Sequence, residues 1–394
     1  MAIRKYLFPL LVAFALLTSQ ISAAYIVFGP LVLLWMIDAA RDRRLARCLG
    51  SAPGTLVGLQ ALFILLSTVF SRDPAHSARH LAGVSLLLLL PIAADIGDRP
   101  ARLRGVLFAL GASGIALSLI GIWQFVHGGN ELDSRIRGTL SHYMTFSGLT
   151  MIAGCVLLGF AWEGRGRARW IGWLSAIPLA AMLLTFTRNA YVGTILAVAL
   201  YLALRRPRGL LLLAPALVAI FFLSPRPIQA RILSTVSLED TTNRDRIAML
   251  HAGVRMIADE PIFGVGPEMV KVYYPLYRDP DATEWRAGHL HDNILQLAAA
   301  NGVFEAASYL AMMALFFARS ILLLRRESRP ERAALLAGAL MAGAALFVAG
   351  FFEYNWGDTE VEMATLLVLA VPFSRVFVGE AGGAEPTSEA QAAG

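Results

Sequence analysis

The stretch Ala287-Gly-His-Leu-His-Asp-Asn-Ile-Leu-Gln296 holds the residues of this chain best suited to chemistry. His289, His291, Asp292, Asn293 and Gln296 crowd together where a long polar segment meets a renewed apolar run. Ionisable groups at a membrane boundary are costly to bury and by default suggest function. An imidazole with the ordinary pKa of about 6.5 can take a proton near neutral pH, which makes His291 a candidate general base. The plainer alternative is an interfacial histidine that caps a helix, although Asp292 or Asn293 would cap it better. A His-x-His pair beside an acid also suits zinc. No third ligand at a convincing spacing is visible, so no metal or other cofactor is expected.

Arginines form the second group. Arg188, in Thr185-Phe-Thr-Arg-Asn-Ala-Tyr191, lies between two apolar runs with hardly any loop. A lone arginine there reads as a snorkelling side chain at a helix end, but Thr185, Thr187 and Asn189 surround it with further polar groups. Arg244 and Arg246 head a segment of helical periodicity. Arg135 and Arg137 fall in Asp133-Ser-Arg-Ile-Arg-Gly-Thr139, just before His142. Each could equally be a solvated or lipid-contacting charge. The guanidinium fork is nevertheless the group that grips phosphate through two parallel N–H···O bonds, and several forks converging on one site would suit a diphosphate. Glu353, Asp358 and Glu360, in Phe351-Phe-Glu-Tyr-Asn-Trp-Gly-Asp-Thr-Glu360, are candidates to orient a histidine or bind sugar hydroxyls, with plain solvation as the alternative.

The elements that must position these residues are set by composition. Of 394 residues, 57% are hydrophobic and 16% charged, against about 45–50% and about 25% in a soluble domain. The excess falls in blocks long enough to cross a hydrocarbon core of about 30 Å as helices. An all-α, polytopic integral membrane protein of about 12 spans is expected, near 6–22, 24–40, 54–71, 80–97, 104–126, 142–162, 169–186, 189–204, 209–224, 292–318, 333–352 and 360–377. Alternate loops are rich in arginine: Arg41, Arg43, Arg44 and Arg47; Arg99, Arg102 and Arg104; Arg165, Arg167 and Arg169; Arg205, Arg206 and Arg208; Arg325, Arg326, Arg329 and Arg332. The opposite short loops hold only Arg72, Arg79, Arg135, Arg137 and Arg188. The positive-inside rule then puts both termini in the cytoplasm and the chemistry outside. The first apolar run leads straight into a second and is expected to be retained. Cys48 and Cys155 give neither metal spacing nor a disulfide framework. No basic stripe suits nucleic acid, and no internal repeat marks a secondary transporter.

Residues 225–290 form one long outer loop within a membrane domain spanning 1–378, and a Gly/Ala/Glu/Ser tail, 379–394, is expected to be disordered in the cytoplasm. Within the loop, Ile247, Leu250, Val254 and Ile257 share one face of an expected amphipathic helix able to lie on a membrane. Pro261-Ile-Phe-Gly-Val-Gly-Pro267 ends that helix in a turn. Tyr273, Tyr274, Tyr277 and Trp285 suit an interface or a sugar face.

Arg246 followed by a helix and Pro261-Ile-Phe-Gly-Val-Gly-Pro267, then His291-Asp-Asn-Ile-Leu-Gln296 and Gly302, resembles the O-antigen ligase/polymerase superfamily. Arg188 in Thr-Arg-Asn-Ala-Tyr and Arg137-Gly-Thr-Leu-Ser-His142 fit its earlier segments, so the resemblance spans about 130–375. It implies a metal-independent, inverting glycosyltransferase of the bacterial inner membrane. The donor would be an undecaprenyl-diphosphate-linked glycan on the periplasmic side. The ligase branch passes that glycan to lipid A-core oligosaccharide, completing lipopolysaccharide. Carried over, Arg188 and Arg246 would grip the diphosphate and His291 would deprotonate the acceptor hydroxyl. Arg137, Arg244, His289, Asn293, Glu353 and Asp358 are the expected substrate-binding residues. Asp292 and Glu305 depart from the ligase pattern and leave the polymerase, acting on carrier-linked repeat units, as the alternative. Protein O-oligosaccharyltransferases usually carry a larger extra-membrane portion. A transporter would need broken helices and midplane charges, and a non-catalytic scaffold would leave the arginines and His291 without a shared cavity.

Overall fold

The computed structural model describes residues 3–128, 134–224, 226–233, 241–280 and 282–378. The expected tail, 379–394, lies outside them. Among the described residues the secondary structure is helical, with no strand. Each apolar block seen in the sequence folds as helix over most of its length. Among the described residues seven helices are long and apolar enough to cross a membrane: Ile21–Arg41, Ala52–Val69, Pro100–Val126, Tyr143–Glu163, Val303–Arg326, Pro330–Ala349 and Thr359–Val378. The other blocks give shorter or more polar helices, such as the 13-residue Arg4–Leu16, which at 1.5 Å per residue reaches only about 20 Å. The chain is therefore a multi-pass helical membrane protein, with seven helices among the described residues that meet the criterion outright.

Two of these helices form the centre. Tyr143–Glu163 and Pro330–Ala349 are buried along almost their whole length. They touch backbone to backbone at Gly159 and Gly338, where a Cβ on Gly159 would sit 2.3 Å from the Gly338 nitrogen. Small residues at such a crossing let dispersion contacts and backbone proximity replace the hydrophobic drive that lipid does not supply. Arg188–Arg205 packs against Pro330–Ala349, so Arg188 begins a helix anchored in the middle of the bundle.

The expected span 292–318 is divided. Asn293–Asn301 ends at Gly302, whose φ is +90°, and Val303–Arg326 follows. The break is held by the loop segment 261–267. Val265 and Gly266 donate to the carbonyls of Ala299 and Ala300 at 2.9 Å each, and Val303 donates to the Pro261 carbonyl at 2.9 Å. Backbone groups freed by the interruption thus find partners, as a buried chain requires. A Cβ at position 302 would lie 1.9 Å from the Ile262 carbonyl oxygen, so the approach itself demands glycine.

The described residues of the long loop include three helices, Arg226–Leu233, Thr241–Asp259 and Val270–Tyr277. The amphipathic helix exists, but it meets the bundle by a face other than its large apolar stripe. Ala248, Met249, Ala252 and Met256 are buried, while Ile247, Leu250 and Val254 are exposed. Small residues allow close docking on Asn293–Asn301, where Gly253 lies under Leu290 and Leu295. Ile247, Leu250 and Val254 remain on the outer side. Tyr274 is fully buried beneath the helix, whereas Tyr273 and Tyr277 stack near the Arg72 guanidinium at 4.8 and 5.7 Å.

Candidate functional site

His291 is held in a left-handed conformation, φ +51°. A side chain in that region costs about 1–3 kcal/mol and persists only where its surroundings impose it. Here Asp292 caps the following helix through the Leu295 amide at 2.8 Å. The Gln296 side chain accepts from the Leu290 amide at 2.9 Å, and the Asn293 amide donates to the Gly350 carbonyl at 2.7 Å. Phe186 and Glu268 also have positive φ; one lies two residues before Arg188 and the other lines the cavity beside His289.

The His291 ring reaches the last loop. Its Nδ1 lies 2.9 Å from Glu353 Oε2, and His289 Nε2 lies 3.4 Å from Glu353 Oε1. An ionised carboxylate only accepts, so His291 Nδ1 carries the proton and, in the neutral ring, Nε2 keeps its lone pair. Burial pushes the Glu353 carboxyl up, but the His291 hydrogen bond and the charges of His291, His289 and Arg246 outweigh it and hold the carboxyl below the usual range. Arg246 is thereby tied electrostatically to the same carboxylate. Arg188, buried at the start of its helix, donates from Nη2 to Asn243 Oδ1 at 3.0 Å. Asn243 stands one turn before Arg246 on Thr241–Asp259. The fold therefore connects Arg188, Arg246, Glu353 and His291 through consecutive partners drawn from four separate stretches.

Beside them is a cavity of about 420 Å³ lined by His142, Thr145, Glu268, His289, Glu353 and Asp358, among others. Asp358 accepts from the Thr145 hydroxyl. Burial pushes its carboxyl up, against the hydrogen bond from Thr145. A second cavity, about 600 Å³, contains Arg135, Arg137, Trp123 and Tyr143. His142 lines both cavities.

The expected substrate-binding residues do not all gather here. His289, Glu353 and Asp358 line the first cavity and Arg137 the second. Asn293 is only 1% exposed, and its amide is committed to Asn355 Oδ1 at 2.7 Å, with its carbonyl accepting from Trp356 N at 3.0 Å. It is a tie between Asn293–Asn301 and the last loop rather than a group open to substrate. Arg244 points to a separate small cavity with His251 and Asp279, because it lies two positions from Arg246 on a helix and so on another face. His142 was not among the expected site residues. Its signal was the same as that of His291: a histidine immediately before an apolar block.

His289, His291 and Glu353 offer three ligand atoms within 4.8 Å of one another, so the fold supplies the third metal ligand that the sequence did not reveal. Two ligands of one tetrahedral zinc stand roughly 3.3 Å apart at bond lengths of about 2.0–2.1 Å. The 2.9 Å separation of His291 Nδ1 and Glu353 Oε2 fits a direct hydrogen bond better.

Burial lowers the pKa of His142 and of His289, in each case against the opposing pull of Glu353. As pH falls through about 6.5, the unfolded chain takes up protons at these positions before the folded protein does. Their contribution to stability is present above that pH and is lost as pH falls toward the lower folded values. The thermal midpoint in detergent is expected to drop between pH 7.5 and 5.5, and His142→Gln with His289→Gln should flatten that slope. An unchanged slope would contradict the burial argument.

No curated protein matches the chain. Residues 173–308, which contain Arg188, Arg246, His289 and His291, match the family model described as O-antigen ligase.

Proposed function

We propose that the protein is an O-antigen ligase, a glycosyltransferase that moves a glycan from undecaprenyl diphosphate to lipid A-core oligosaccharide on the periplasmic side of the bacterial inner membrane. The observation that carries this reading is the His291–Glu353 pair at 2.9 Å beside Arg246. In this proposal the acceptor hydroxyl gives its proton to His291 Nε2 as its oxygen bonds to the anomeric carbon. The bond from that carbon to the phosphate oxygen breaks on the opposite face, inverting the centre. The electron pair leaves with undecaprenyl diphosphate. Arg188 and Arg246 hold the growing phosphate charge, each on the first turns of a helix whose N-terminal amides add to the positive field. Glu353 keeps the His291 tautomer and stabilises the imidazolium. His289, Glu353 and Asp358 offer acceptors for sugar hydroxyls, and Arg137 a cation for an anionic sugar, while Arg244 would act on the loop surface. The topology in this reading has twelve crossings, cytoplasmic termini and the 225–290 loop in the periplasm.

Asp292, which departs from the ligase pattern, serves as a helix cap, and that role is independent of the acceptor. The break at Gly302 is a feature a transporter would also show, but its backbone is sealed by the 261–267 segment. Purified protein given a carrier-linked glycan should transfer it to lipid A-core; transfer only to carrier-linked repeat units would establish a polymerase instead. The arginines stand in for a metal, so activity should survive a chelator. Loss of activity that added zinc restores would assign His289, His291 and Glu353 to a metal centre.

A further inference from the structure

A further cavity, lined by arginines and apolar side chains, lies at the other end of the bundle. Its wall includes Ala52 and Pro53, the first turn of Ala52–Val69. The far end of that 18-residue helix meets the loop segment bearing Val265, where Ser67 and Ser71 bond to the Ala300 and Val265 carbonyls. A rise of 1.5 Å per residue puts the two ends roughly 27 Å apart, close to the hydrocarbon thickness. The cavity therefore faces the membrane boundary opposite His291.

Its volume is about 450 Å³. Arg319 reaches it from Val303–Arg326. This half-buried guanidinium donates only to carbonyls, Nε to Pro372 at 2.7 Å and Nη2 to Phe377 at 3.2 Å. Among the described residues no carboxylate pairs with it. A charge drawn partly out of water without a counter-charge is costly, and an arriving anion would relieve that cost. Arg47 lines the same cavity, is exposed, and has no ion pair among the described residues. Arg375 meets Asp95 at only 3.7 Å. Arg44 is different. It is surrounded by Asp38, Asp42 and Asp95, with Trp35 Nε1 holding Asp95 at 3.1 Å, and this cluster braces the wall. Leu315, Phe373 and Val378 make the remaining side apolar.

We propose that Arg319, Arg47 and Arg375 bind the phosphate of an anionic membrane phospholipid in this cavity, with an acyl chain along Leu315, Phe373 and Val378. A phosphate group matches the forks. The apolar side is what favours a lipid over free phosphate, and basic pockets between membrane helices are suited to such headgroups.

Cys48 provides a readout independent of enzyme activity. It lines the cavity half-buried, while the other cysteine, Cys155, is fully buried. Full-length protein in phosphatidylcholine vesicles, with or without phosphatidylglycerol, would be treated with uncharged N-ethylmaleimide and the labelling rate read by intact mass. Phosphatidylglycerol is expected to slow Cys48 labelling several-fold. Arg319→Gln should abolish that protection in the same vesicles, which removes any effect of surface potential on the thiol. The exposed Arg47→Gln should weaken protection and serves if the first variant does not fold. Equal labelling with and without phosphatidylglycerol, or protection that survives both substitutions, would overturn the proposal. Equal protection by inorganic phosphate in phosphatidylcholine vesicles would replace the lipid with a soluble phosphate ligand.

Discussion

His291→Ala is expected to abolish glycan transfer while the protein still inserts and accumulates. Alanine removes the only group in the proposed mechanism that accepts the hydroxyl proton. General-base assistance contributes about 10²–10⁴-fold, enough to erase lipopolysaccharide ladders in a cell that depends on this enzyme. The substitution should not unfold the site. Asp292 still caps its helix and Asn293 still ties it to the last loop, and alanine at φ +51° retains the strain already present. Glu353, however, loses its partner at 2.9 Å, and its carboxyl should rise from its depressed value because burial then has less opposing it. Normal ladders at normal protein level would remove His291 from the mechanism.

Arg188→Lys is expected to fail nearly as badly as Arg188→Ala. Lysine keeps the charge but not the planar fork. Arg188 donates from Nη2 to Asn243, a directed contact that the planar fork makes and that the diphosphate would also need. An ammonium cannot both hold Asn243 and present a second directed donor along the same line. Removing one such charge-stabilising contact costs about 10²–10³-fold in rate. Transfer assays with purified protein would measure the loss. A lysine variant retaining most of the activity would mean that position 188 supplies charge alone. Because Arg188 is buried, the alanine variant needs a thermal melt to show that the bundle remains folded.

The chain by itself determined the helical, membrane-embedded class, since hydropathy and turn residues act over a few neighbours at a time. It also marked His291 and Arg188 through their placement at the edges of apolar runs and Arg246 through the family resemblance, and it identified Thr241–Asp259 as a helix. It did not determine which face of that helix would dock. The choice fell to Ala248, Ala252 and Gly253, whose small size lets the helix approach Asn293–Asn301, and only the packed neighbour makes that visible. The break at Gly302 likewise depends on backbone groups of 261–267 arriving to satisfy it. The pairing of His291 with Glu353 spans 62 residues and joins a residue inside the family-matched segment to one beyond its end at 308. Such a contact exists because two loops are carried to the same place by helices already packed in the core. Local sequence encodes those helices one at a time, whereas the distance between their ends is fixed only when Val303–Arg326 packs on Pro330–Ala349 and Asn293 bonds to Gly350.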